Sequence, residues 1–144
     1  MNTWRETILQ AVMARLASAG VAAGQVYRSR TEAFARAELP AVVDKPGGER
    51  VDNSTRFIAR RRFELQFEVY VRGDPVDAIA DPVLATLHQA LMADPTLGGI
   101  IQGLFEDGTD EPLEDDGDAS AAKIQVTYLA AYATPSADNT RLIT

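Results

Sequence analysis

From Phe63 the chain alternates: Phe63, Leu65, Phe67, Val69 and Val71 interleave with Glu64, Gln66, Glu68, Tyr70 and Arg72. Residues two apart on an extended backbone point to the same side, so this pattern predicts a strand with one face on a core and the other towards water or a partner. Ile124, Val126, Tyr128, Ala130 and Tyr132 repeat the alternation and predict a second long strand over 122–132. The spacing changes near the N-terminus, where Trp4, Ile8, Ala11, Val12 and Leu16 recur at helical intervals. Thr3 with Glu6 matches a capping box and Gly20 follows, so a helix is expected over 3–17.

Val76, Ile79, Ala80, Val83, Leu84, Leu87 and Leu91 line one face of a second helix. Asp74 as N-cap and Pro75 at the first helical position would open it. Pro82 competes with that start, because a proline inside a helix removes a hydrogen bond and crowds the preceding turn; Asp81-Pro82 is the alternative opening. Shorter runs predict strands at Gln25–Ser29 and Leu39–Asp44, the latter with Pro40 at its start. Between them and the alternating strand, KPGGERVDNST (45–55) is polar and glycine-rich and predicts a mobile loop. TLGGIIQGLF, after Asp94-Pro95, carries a two-glycine interruption that weakens any helix there. The chain past Thr134 is polar and is expected to be a disordered tail, leaving one domain over 1–134. The element order predicts an α+β fold: a single mixed, largely antiparallel sheet with two main helices packed on one face.

Composition adds one strong fact. Residues 1–72 hold 12 Lys and Arg against 8 Asp and Glu, or +4, whereas residues 73–144 hold 2 against 13, or −11. The basic excess includes Arg56, Arg60, Arg61 and Arg62 within seven residues. The acidic excess peaks in FEDGTDEPLEDDGDAS, with eight carboxylates between Glu106 and Asp118, among them Asp107, Asp110, Glu111, Asp115, Asp116 and Asp118. An overall pI near 4.6 disfavours nucleic acid as a partner. No stretch approaches the ~20 apolar residues of a membrane span, and no signal-peptide core is visible, so a soluble cytoplasmic protein is expected.

The acidic stretch does not fit a calcium loop. With Gly117 at the sixth position Pro112 falls at the first, and with Gly108 there Gly103 does; neither offers the required oxygen ligand. Eight mutually repelling acids read as solvated surface rather than as an acid–base pair. There is no cysteine, and the lone His88 lacks co-ligands and any flanking nucleophile motif. Gly47-Gly48 and Gly98-Gly99 match neither a P-loop nor a dinucleotide fingerprint. No catalytic, cofactor or metal residues are therefore assigned. The arginines are either a solvated strand extension or a patch that docks on the acidic stretch of another copy; a heterologous contact of that kind, repeated, closes a ring where the rotation permits.

The sequence LPAVVD, a polar loop, RRFELQFEVYVRGDPVDAIADPVLATLHQALM, the acidic stretch and a last strand ending AKIQVTYLAAYAT resembles the tail terminator family of long-tailed bacteriophages, of the lambda minor tail protein U type. The resemblance spans residues 3 to 134 as a pattern, without a short diagnostic motif. It implies a structural protein that forms a hexameric ring on the end of the tail tube, stops tube polymerisation and presents the surface to which the head joins. The implied partners are further copies of itself, the tail tube protein and a head–tail connector protein, with neither membrane nor sequence-specific nucleic acid. The implied location is the head-proximal end of the virion tail, reached from the host cytoplasm. Neighbouring neck and tail-completion proteins share this size, and a small-molecule binding module would show an apolar pocket.

Overall fold

The computed structural model describes residues 1–115 and 118–143; Asp116 lies outside the described residues. The elements run α1 (Trp4–Ser18), β1 (Val26–Arg28), β2 (Ala41–Asp52), β3 (Ile58–Arg72), α2 (Val76–Met92), β4 (Gly103–Thr109), β5 (Leu113–Asp115) and β6 (Asp118–Pro135). They form one six-stranded sheet in the order β1-β2-β3-β6-β4, with β5 also on β6. Among the described residues only β1 and β2 pair in parallel, and every other pairing is antiparallel. Both helices lie on one face, as the alternation and helical spacings predict.

All fifteen residues of β3 pair with β6, from Ile58↔Pro135 to Arg72↔Ala121. Phe63, Leu65, Phe67, Val69 and Val71 point to the helices and are fully buried with Ile124, Val126, Tyr128 and Ala130 opposite them. Ile8, Val12 and Leu16 of α1 and Leu87 and Leu91 of α2 close this core from above. Each such side chain contributes about 1.5–3 kcal/mol on leaving water, so the helices are held by packing. The expected capping box at the start of α1 is only half formed: the Thr3 side chain accepts from the Glu6 amide at 3.5 Å, while the Glu6 carboxylate accepts from Arg28 and Gln10 instead.

Three stretches depart from expectation. The glycine-rich segment after Asp44 is strand as far as Asp52, because the upstream half of β3 offers it a ladder from Gln66 to Arg60. A bulge between Pro46 and Glu49 absorbs the two glycines. A Cβ on Gly47 would lie 3.0 Å from Glu64 Cβ, so close approach rather than mobility explains that glycine. Helix α2 begins at Val76, with Pro75 as its N-cap, and continues through Pro82 without a restart. Its apolar stripe of Ala80, Val83, Leu87 and Leu91 stays continuous on the sheet and outweighs the roughly 3 kcal/mol an internal proline costs. Beyond Thr134 the chain is tied down: the Ser136 amide donates to Phe57 O at 2.9 Å, the Trp4 amide to Asn139 O at 2.8 Å and the Ile143 amide to Ala133 O at 2.9 Å.

The opposite face is covered at one end only. Phe34 stacks between Tyr27 and Tyr70, at centroid distances of 5.4 and 5.0 Å, and Arg30 lies 4.1 Å above the Phe34 ring. Glu68, 3% exposed there, is bridged by Lys45 at 2.6 Å and Lys123 at 2.9 Å. Burial raises its pKa, but the two ammonium groups outweigh burial and hold it below the usual carboxylate range.

Asp44 has no such partner. It sits opposite Phe67 on the helix side, fully buried, with neither carboxylate oxygen hydrogen-bonded. Burial raises its pKa to about 7, against a smaller lowering by Arg28. The folded state thus holds this proton more tightly than the unfolded chain, so Asp44's stabilising contribution is complete below about pH 4 and is lost as pH rises towards about 7. Asp44→Asn is expected to stabilise the fold by on the order of 3 kcal/mol at pH 8 and by almost nothing near pH 4, read from urea midpoints at the two pH values.

Candidate assembly surface

Strand alternation separates the four arginines. Arg61 pairs with Tyr132 on the helix side, where its guanidinium donates to Glu49 Oε2 at 3.1 Å and to Thr134 Oγ1 at 3.0 Å. Tyr132 also donates to Glu49, and both ends of the Arg61–Glu49 pair are about nine-tenths buried. Burial and this hydrogen bond raise the pKa of Tyr132. Arg61 is therefore committed within its own chain. Arg60 and Arg62 point to the other face and are exposed, and Arg56 lies in the β2–β3 turn with its guanidinium 4.8 Å from the Phe57 ring centroid.

Arg60 has Asp52 across the ladder, but Arg62 faces Arg50. Directly opposed like charges destabilise a sheet, and here they form an exposed basic pair. The reading from sequence misses Arg50 because it places that residue in a loop; only the extended β2 brings it opposite Arg62.

The acidic stretch is a sheet edge rather than a loop. Glu106 and Asp107 lie in β4, Asp110 and Glu111 in the turn to β5, and Asp115 and Asp118 at the facing ends of β5 and β6, where the backbone alone is described. The Asp110 amide donates to Gln125 O at 2.8 Å and fixes that turn against β6. Asp107, Asp110 and Glu111 are exposed. Carboxylates along an edge strand also deter unwanted strand addition. Glu106 instead faces α2: His88 Nδ1 lies 3.3 Å from its carboxylate and 2.7 Å from the Tyr128 hydroxyl. Burial, then Glu106, raises the Tyr128 pKa to about 12. His88 is thus a pin between α2 and the edge, and no cluster suited to a metal ion occurs among the described residues.

The basic and acidic sets lie apart on one rigid sheet. Arg60 and Arg62 stand opposite Ala133 and Ala131, whereas Asp107 lies between the partners of Tyr128 and Thr127 and Asp110 beside Gln125, so the two sets are separated by three to eight residues along β6, or about 10–26 Å. That exceeds the roughly 8 Å Debye length at physiological salt, so attraction between the two sets within one chain is strongly screened.

No family model and no curated protein matches the chain. Among solved structures it is similar to a chain of the virion of a native gene transfer agent (GTA) particle, with 17% identity, a TM-score of 0.48, and coverage of 85% of this chain and 91% of that chain. A likeness of that strength assigns neither fold nor role.

Replacing Arg61 with Ala leaves Glu49 buried beside Tyr132 without its cation and is expected to cost about 2–4 kcal/mol in chemical denaturation. Arg62→Ala, on the exposed face, is expected to change stability by less than about 0.5 kcal/mol in the same measurement.

Proposed function

We propose that this chain is a structural, non-enzymatic subunit of a phage-type tail: a tail terminator that assembles head to tail into a hexameric ring on the end of the tail tube, stops its growth and offers the surface to which the head joins. The observation that carries the proposal is the polarity of the sheet, with exposed Arg60 and Arg62 towards one end of β3 and exposed Asp107, Asp110 and Glu111 at the far edge. Two unlike patches on different parts of one rigid body satisfy each other only between copies, and such a contact is heterologous. The resemblance of residues 3–134 to the tail terminator family supplies the biological setting, including the tube protein and the head–tail connector as partners.

Each exposed ion pair adds about 0.2–1 kcal/mol, so the patches set register and encounter while apolar contact supplies most of the affinity. Tail tubes incubated with the protein are expected to show capped ends with six-fold rings in negative stain. A monomer that leaves tube ends bare overturns the reading. Arg60→Glu with Arg62→Glu, Arg61 being left in place to keep the fold, is expected to weaken self-association at least tenfold in mass measurements at low salt. Combining it with Asp107→Lys and Asp110→Lys is expected to restore part of that loss.

A further inference from the structure

At the tip of the β2–β3 hairpin, Phe57 is 73% exposed with φ +68°. A left-handed backbone is cheap for glycine and strained for an aromatic residue. The tip is nevertheless well ordered: the Ile58 amide donates to Thr55 O at 3.3 Å, the Ser136 amide to Phe57 O at 2.9 Å, and the Ser54 amide to Asp52 at 2.8 Å. Val51, 43% exposed, lies back along β2 opposite Arg61. The hairpin thus presents an exposed aromatic tip, Phe57, with the Arg56 guanidinium 4.8 Å from its ring centroid and Arg60 three residues on at the start of β3.

The far end of the molecule carries a hollow of matching chemistry. Between the first turns of α2 and the β4–β5 turn lies a groove of about 540 Å³, floored by Pro82, Leu84 and Ile124 and rimmed by Asp77, Asp81 and Asp110. All three carboxylates are exposed, and none is in an ion pair among the described residues. The tip is anchored beside Pro135 and the groove beside Ile124, eleven residues apart along β6 or about 35 Å. No copy can fill its own groove.

We infer that the hairpin tip of one copy inserts into the acidic groove of the next, with Phe57 as the anchor on Leu84 and Ile124 and Arg56 and Arg60 on Asp77, Asp81 and Asp110. The occupant is a second copy of this chain, chosen by charge complementarity and by the roughly 35 Å that separates tip from groove within one copy. Buried aromatics flanked by arginine are the residue types that dominate interface energetics. This deepens the head-to-tail reading and rests on it, adding the acids of α2 and an apolar anchor to the contact.

The absence of cysteine allows a direct test. Chains carrying Arg56→Cys and Asp81→Cys are mixed in equal amounts under mild oxidation, alone and with tail tubes, beside a control mixture of Arg56→Cys and Glu32→Cys. The expected result is at least tenfold more 56–81 than 56–32 heterodisulfide, and equal yields overturn the docking. In parallel, Phe57→Gly relieves the left-handed strain, so thermal stability is expected to hold or rise while self-association falls at least tenfold; unchanged association overturns the anchor. Six-fold rings on tubes without the 56–81 link would sink this contact and leave the ring standing. Bare tube ends together with no link would sink both.

Discussion

The fifteen-residue pairing of β3 with β6 is the constraint on which the rest of the molecule depends. Because side chains in a strand alternate strictly, one register decides the destination of every residue in both strands at once, and a slip of one would exchange core for solvent throughout. Phe63 to Val71 and Ile124 to Tyr132 can meet the helices only in this register. It also sends Arg61 inward to Glu49 and Arg60 and Arg62 outward, so an electrostatic patch is settled by the same geometry as the apolar core.

The long ladder explains why two polar segments become ordered. Lys45–Asp52 has little apolar area of its own, but β3 extends past the helices and leaves a row of amides and carbonyls that must be paired. Zipping β2 along it satisfies them and carries Arg50 to a place opposite Arg62. At the other edge, β4 and β5 bring the acidic stretch onto β6, which turns a solvated charge run into a fixed surface. The two poles are thereby separated by a stiff strand rather than by flexible chain.

Two buried carboxylates show how differently the sheet treats similar groups. Glu68 lies on the open face, where Lys45 and Lys123 reach it from neighbouring strands and keep it ionised. Asp44, one position on from Val43, points under the helices, where only Arg28 is near and that guanidinium is already bonded to Glu6 at 2.5 and 2.7 Å. The penalty of burying a charge is met by ion pairing in the first case and by proton uptake in the second.

Period-two and helical spacings determined the α+β class, both long strands, both helices and the inward face of the core, because these features follow from backbone periodicity and burial alone. Composition likewise determined the charge asymmetry. Tertiary structure decided what the spacing of single residues cannot express. Polar 45–52 is strand because a partner strand is there, α2 runs through Pro82 because its apolar stripe is already docked, and the chain after Thr134 is held by Trp4, Phe57 and Ala133. It also split the arginines between fold and surface and placed Asp77 and Asp81, unremarkable helix residues in sequence, beside Asp110. Each of those outcomes depends on contacts between residues far apart in the chain, whose energies enter only once the sheet has brought them together.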